Sequence, residues 1–265
     1  MPRIPDHLFQ SVAFIYPDRA AAQEGGSIGG TGFVVRYQSA GAARANHFLI
    51  TNIHVALMKD RTIRFKTTSE KFDFLDITGS QWIYHPNSDD IAVAAIDLHP
   101  EWNIAPLDWS AIAATQARLT ELNVGIGDEV FMVGRFVSSD LQPIDNPLAR
   151  FGNITMMPGP LVNDGRGMDV EAFLAEMRSQ SGFSGSPVFV YVGPGTYRGN
   201  GTMMPFYSEQ LGLIGIDTGH KVTETPVRRR DEPSATDLIV QVNTGISIVS
   251  PVWKIEEALE CATQA

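Results

Sequence analysis

Three short stretches of this 265-residue chain hold the residue types that cleave an unactivated acyl bond, in the order histidine, aspartate, serine. In FLITNIHVA an apolar run ends in Thr51 and Asn52 and then presents His54. In HPNSDDIAVAAI the pair Asp89-Asp90 opens a second apolar run. In SQSGFSGSPVFV, Ser184 stands between Gly182-Phe183 and Gly185, and Pro187 follows before a third. A serine hydroxyl is a weak nucleophile at neutral pH. A histidine can take its proton during attack and return it to the leaving amine, while a carboxylate fixes the imidazole tautomer and stabilises the imidazolium. The oxyanion formed on attack needs preorganised donors, and backbone N–H groups of a glycine-bearing turn supply them without an intruding side chain. Gly182 allows a turn that aims its own N–H and that of Ser184 at one point, and Gly185 leaves room beside the hydroxyl.

Taken singly, each stretch is ordinary. A lone histidine in an apolar setting is more often packed than catalytic, two aspartates often begin a strand, and Gly-x-Ser-Gly turns are common. Their conjunction carries the reading. Asp90 is preferred to Asp89 because it directly precedes the Ile-Ala-Val run. An α/β-hydrolase would need Gly-x-Ser-x-Gly with the order serine, aspartate, histidine; here Ser186 takes the fifth position and the histidine comes first. His54, His85 and His99 lack the paired spacing of a zinc motif, so no metal and no cofactor are expected.

The elements that must hold these residues read as β-structure. Short runs such as FQSVAFIY, GTGFVVRY, HFLITNI, TIRFKT and DIAVAAIDL fill the first half of the chain. GDEVFMVGRF, RFGNITMM, VEAFLAEM, SPVFVYV, LGLIGIDT and DLIVQVN fill the second. Many such runs at short spacing predict an all-β sandwich or pair of barrels, not alternating βαβ units. Asp108 to Asn123 reads as the connection between halves, with room for a helical turn. Pro251 marks a helix start, after which Trp253, Ile255, Ala258 and Leu259 share one face. The long segments Ser138 to Pro147 and Gly193 to Ser208 read as loops.

Composition bounds the function. A formal charge of −10 argues against nucleic-acid binding, and the one basic run, Arg228-Arg229-Arg230, is followed at once by Asp231 and Glu232. Cys261 is the only cysteine, so no internal disulfide can form. The N-terminus lacks the basic start and cleavage site of a signal peptide, and no apolar run approaches the ~20 residues that span a bilayer. A soluble cytoplasmic protein, without membrane or nucleic-acid partners, is expected.

TNIHV, DIAV and GFSGSP together resemble the histidine, aspartate and nucleophile motifs of the trypsin-like serine peptidases, nearest the bacterial HtrA (Deg) branch. GTGFVV, GDEVFMVG, LGLIGIDT and GISIVSPVWKIEEAL extend the similarity over roughly residues 10 to 260. The resemblance implies a chymotrypsin-like double six-stranded β-barrel with a C-terminal helix. It divides the chain into residues 1–115, carrying His54 and Asp90, and residues 116–265, carrying Ser184. It implies a serine endopeptidase acting on polypeptides through an acyl-enzyme, with His54 as base, Asp90 as its orienting acid and Ser184 as nucleophile. The backbone N–H groups of Gly182 and Ser184 fall on the oxyanion donors, and Arg178, Ile216, Asp217 and Thr218 on substrate-binding positions. The other reading is a non-catalytic double barrel that binds a peptide or protein.

Three departures matter. Phe183 replaces the aspartate that pairs with a freshly cut N-terminus in digestive members, so activation by trimming is not expected. Ser186 stands where glycine is usual. No PDZ module is expected after the C-terminal helix. Control, where it exists, is expected through ordering of the two long loops by substrate or a regulatory protein partner. Arg178, six residues before the nucleophile, could favour an acidic residue before the cut bond, or could simply point to solvent from the end of a strand.

Overall fold

The computed structural model describes residues 3–25, 29–57, 59–87, 89–135, 137, 146–198, 201–204, 210–228 and 235–264. Most of the Ser138–Pro147 segment, part of Gly193–Ser208, and Arg229-Arg230 lie outside the described residues.

The first half is one strongly curled sheet. Its strands are β1 (Val12–Tyr16), β2 (Gly30–Tyr37), β3 (Asn46–Thr51), β4 (Arg61–Lys66), β5 (Phe72–Ile77), β6 (Ile83–Tyr84), β7 (Ala92–Ala95) and β8 (Leu107–Asp108). They run in the order β5-β4-β1-β2-β3-β7-β6, with β8 parallel to β2. Helices α1 (Asp6–Gln10) and α2 (Arg19–Glu24) flank β1, and the single turn α3 (Ile53–Ala56) follows β3 directly. Two more short helices, α4 (Trp109–Ile112) and α5 (Gln116–Glu121), fill the expected connection.

The second half contains β9 (Glu129–Gly134), β10 (Leu148–Met156), β11 (Leu161–Asn163), β12 (Asp169–Glu171), β13 (Phe173–Glu176), β14 (Pro187–Val192), β15 (Tyr197–Arg198), β16 (Thr202–Met203), β17 (Gln210–Arg228) and β18 (Ala235–Pro251). Six of them close a barrel in the order β10-β13-β18-β17-β14-β9. The run VEAFLAEM is two strands, since Ala172 separates β12 from β13 and lets β12 turn outward to pair with β11. Helix α6 (Val252–Gln264) begins right after Pro251 and buries Val252, Ile255, Ala258 and Leu259.

The chain therefore has a chymotrypsin-like double-barrel architecture with a C-terminal helix. One detail differs from six strands per half. The first half has eight, counting the two-residue β6 and β8, and its described ladders leave β5 and β6 as edges. Two-residue strands cannot supply the ladder needed to seal such an edge.

Burial explains the arrangement. Inside the first half Ile15, Val34, Leu49, Ile63 and Ala94 pack around Trp82. Inside the second, Met132, Phe173, Phe183, Val188 and Ile214 form the core. A third apolar layer joins them, setting Phe14, Phe33 and Phe48 of the first half with Phe131, Phe189 and Ile216 of the second and with Ile255 and Leu259 of α6. Strands buried on both faces read as unbroken apolar runs, as β1 does with all five residues buried.

Candidate active site

Strand register brings the histidine to the aspartate. Strands β3 and β7 pair antiparallel with Thr51 opposite Ala92. Continuing that register by two residues sets Asp90 across from Ile53, beside His54. The main chain reinforces this. Asn52 donates its side-chain N–H to the Asp90 carbonyl at 2.8 Å, and the His54 N–H donates to Asp90 Oδ1 at 3.0 Å. The imidazole then meets the other carboxylate oxygen, with His54 Nδ1 and Asp90 Oδ2 2.6 Å apart. Burial alone would push the Asp90 carboxyl up, but the His54 contacts and then Arg166 outweigh it and hold the group below the usual carboxylate range. The neighbouring Asp89 turns elsewhere, to His85 and to Lys254 of α6.

The serine sits in a turn that only glycines can complete. Gly182 and Gly185 have φ of +95° and +89°, a region L side chains rarely enter. A Cβ on Gly185 would also lie 1.9 Å from the Thr31 carbonyl oxygen. The turn is closed by Phe183 N–H to Gln180 O at 3.0 Å and Ser186 N–H to Phe183 O at 2.8 Å. Phe183 drives the turn inward, because its ring is fully buried in the second-half core. Ser186 fits in place of glycine because Gly134 faces its hydroxyl without a side chain; a Cβ there would fall 1.9 Å from Ser186 Oγ.

Strand β2 of the first half pins this turn. Thr31 donates its hydroxyl to Gly182 O at 2.6 Å and its N–H to Ser184 O at 2.9 Å, while its Oγ1 accepts the Arg135 N–H at 2.9 Å. No described residue accepts a hydrogen bond from the N–H of Gly182 or of Ser184. His54, Gly182 and Ser184 line one cavity of about 290 Å³ with Ile15, Tyr16 and Pro17. Among the described hydrogen bonds none joins Ser184 Oγ to His54, an apo geometry that catalytic pairs often show.

The remaining named positions divide. Thr218 comes to the site through its carbonyl, and its hydroxyl donates to Ile248 O at 3.1 Å. Ile216 has its side chain in the shared apolar layer and offers only main chain. Asp217 is fully buried behind the nucleophile turn: its N–H donates to Ser186 O and its carbonyl accepts the Gly185 N–H, both at 2.9 Å. Ser179 Oγ donates to Asp217 Oδ2 at 2.7 Å, Oδ1 has no described partner, and burial pushes this carboxyl up to about 8. Arg178 is exposed, one residue before buried Ser179, and does not join the cluster.

Sequence reasoning missed Thr31 and Arg166. The glycines around Thr31 in GTGFVV signal close approach there. Arg166 is signalled only by its turn-forming neighbours Asp164, Gly165 and Gly167. Its Nη1 lies 2.5 Å from Asp90 Oδ2 and its Nη2 lies 2.6 Å from Thr218 O.

Solved structures share this architecture. The chain is similar to the Rv3671c protease in an inactive form, at 16% identity and a TM-score of 0.50, over 96% of this chain and 90% of that one. It also matches Deg5 at 15% identity and a TM-score of 0.48, over 80% and 81% of the two chains. No family model and no curated protein matches the sequence. The likeness to the Rv3671c protease supports a shared double-barrel fold.

Proposed function

We propose that this protein is a serine endopeptidase that hydrolyses polypeptide amide bonds through an acyl-enzyme. The observation that carries the reading is the His54 Nδ1–Asp90 Oδ2 contact of 2.6 Å on a histidine that shares one cavity with Ser184. With Nδ1–H held by the carboxylate, Nε2 is the basic nitrogen, free to accept the Ser184 hydroxyl proton. The oxygen attacks the substrate carbonyl, and the N–H groups of Gly182 and Ser184 receive the oxyanion. His54 then returns the proton to the leaving amine as the C–N bond breaks. Water, deprotonated by the same imidazole, attacks the ester and frees Ser184. The scheme divides labour between residues 1–115, supplying acid and base, and residues 116–265, supplying nucleophile and oxyanion donors. The Thr218 carbonyl suits an extended peptide that adds beside β17 just past Ile216, where its pairing with β14 ends. A cytoplasmic site of action is part of the proposal, supported by a single cysteine, half-buried in α6. Among the described residues no helix is long and apolar enough to cross a membrane.

A second reading, a peptide-binding double barrel without turnover, draws on the missing Ser184–His54 hydrogen bond and on Arg166 occupying the acid. Labelling with a fluorophosphonate probe and mapping the modified residue separates the two. Modification of Ser184 alone is expected, and a purified chain that stays unlabelled even with Arg166 replaced overturns the peptidase reading.

A further inference from the structure

The hairpin of β11 and β12 pairs only with itself among the described strands. Asp164 ties its tip, accepting the N–H of Arg166 at 2.8 Å and that of Met168 at 3.0 Å on one oxygen. Lys221 of β17 donates to the Asn163 carbonyl, the last of β11 before that tip. So held, Arg166 reaches into the candidate site and forks across the two halves, from Asp90 of the first to Thr218 of the second.

Both acceptors are groups the proposed reaction needs. Asp90 Oδ2 is the same oxygen that faces His54 Nδ1. A guanidinium on it offsets the negative charge that would stabilise the imidazolium and sets a second cation beside the one forming. Thr218 lies at the register shift of β17 against β18 between Asp217 and Gly219, two residues past the last β14 pair at Ile216. A peptide extending the sheet there must take that oxygen from Arg166.

We propose, resting on the peptidase reading, that Arg166 is an autoinhibitory latch: it occupies the acid and the substrate-strand acceptor together, and substrate must displace it. Asp90 does not need the guanidinium for its orientation, because Asn52 and the His54 main chain already hold it. The side chain of Arg166 is 42% exposed, against 16% for Asp90, so the cation can swing into water while the carboxylate stays.

The test compares wild type with Arg166→Ala and Arg166→Lys by two rates: fluorophosphonate labelling of Ser184, which needs no docked strand, and kcat/KM on an extended peptide. Release of the latch raises both in Arg166→Ala, the peptide rate by about tenfold and more than the labelling rate. Arg166→Lys, a single point charge unable to fork, falls between. Thermal melting reports whether each variant folds. Should Arg166→Ala melt early, Arg166→Lys alone still decides, since the latch requires it to exceed wild type. Rates unchanged or lower in a folded variant overturn the latch while wild-type labelling keeps the peptidase reading. Absence of labelling in every protein overturns both.

Discussion

The two halves hold their parts of the site by different means. In the first, the His54–Asp90 pair is an extension of a sheet: β3 and β7 are paired through Thr51 and Ala92, and His54 and Asp90 stand just past the last rung. Three contacts among Asn52, His54 and Asp90 need nothing from the other half. In the second, Ser184 stands on a turn with two left-handed glycines, and the turn's carbonyls at Gly182 and Ser184 are satisfied by Thr31 of the first half. A ladder end is rigid because neighbouring rungs fix it. A glycine turn takes the shape its surroundings impose. The pair is thus built within one half, while the Ser184 turn draws part of its hydrogen bonding from the other.

The largest break comes from removing a member of the reacting set. Ser184→Ala, His54→Ala or Asp90→Asn is each expected to lower kcat by on the order of 10⁴-fold or more, because such groups act as a unit. The melting temperature of Ser184→Ala should stay near wild type, and undiminished turnover in that variant would sink the assignment.

Next is the buried carboxyl beneath the turn. Asp217 has its folded value raised to about 8 from an ordinary 3.8, so the folded chain holds a proton that the unfolded chain has released between those values. Its contribution to stability is full below about pH 4 and is lost as pH rises through about 8. Asp217→Asn should abolish that slope and be more stable than wild type by ~2 kcal/mol or more at pH 8. Denaturant titrations of both proteins from pH 5 to pH 9 check this; parallel curves would show that Asp217 is not held neutral.

Thr31→Val is the sharpest test of the contrast between halves. It leaves the buried Gly182 carbonyl and the Arg135 N–H without their Thr31 partner, at a cost of about 1–3 kcal/mol. Peptide hydrolysis should fall with it, while the His54 Nδ1–H resonance, a low-field NMR signal of the Asp90 hydrogen bond, should persist. Loss of that resonance would mean the pair also depends on docking.

Legibility followed the same division. His54, Asp90 and Ser184 were readable because motif neighbours encode local geometry: an apolar strand before the histidine, Ile-Ala-Val after the aspartate, glycines around the serine. Helix α6 was readable from Pro251 and its apolar spacing. Arg166 was not, because a lone arginine between glycines looks like any solvated turn. Thr31 was not singled out either, since the partners of its hydroxyl lie more than a hundred residues away.

By itself, then, the sequence determined the β-rich class, the three candidate residues in order and the helix that ends the described chain, all of which rest on short-range spacing and side-chain periodicity. The tertiary structure alone decided four things: that among the described strands the first sheet stays open while the second closes, that Phe183 anchors the turn in the core, that Asp217 is buried with one oxygen lacking a described partner, and that Arg166 bridges Asp90 to Thr218. Each of those depends on which distant surfaces meet. The free energy of a buried charge or an unpaired carbonyl is set by neighbours that no local spacing names.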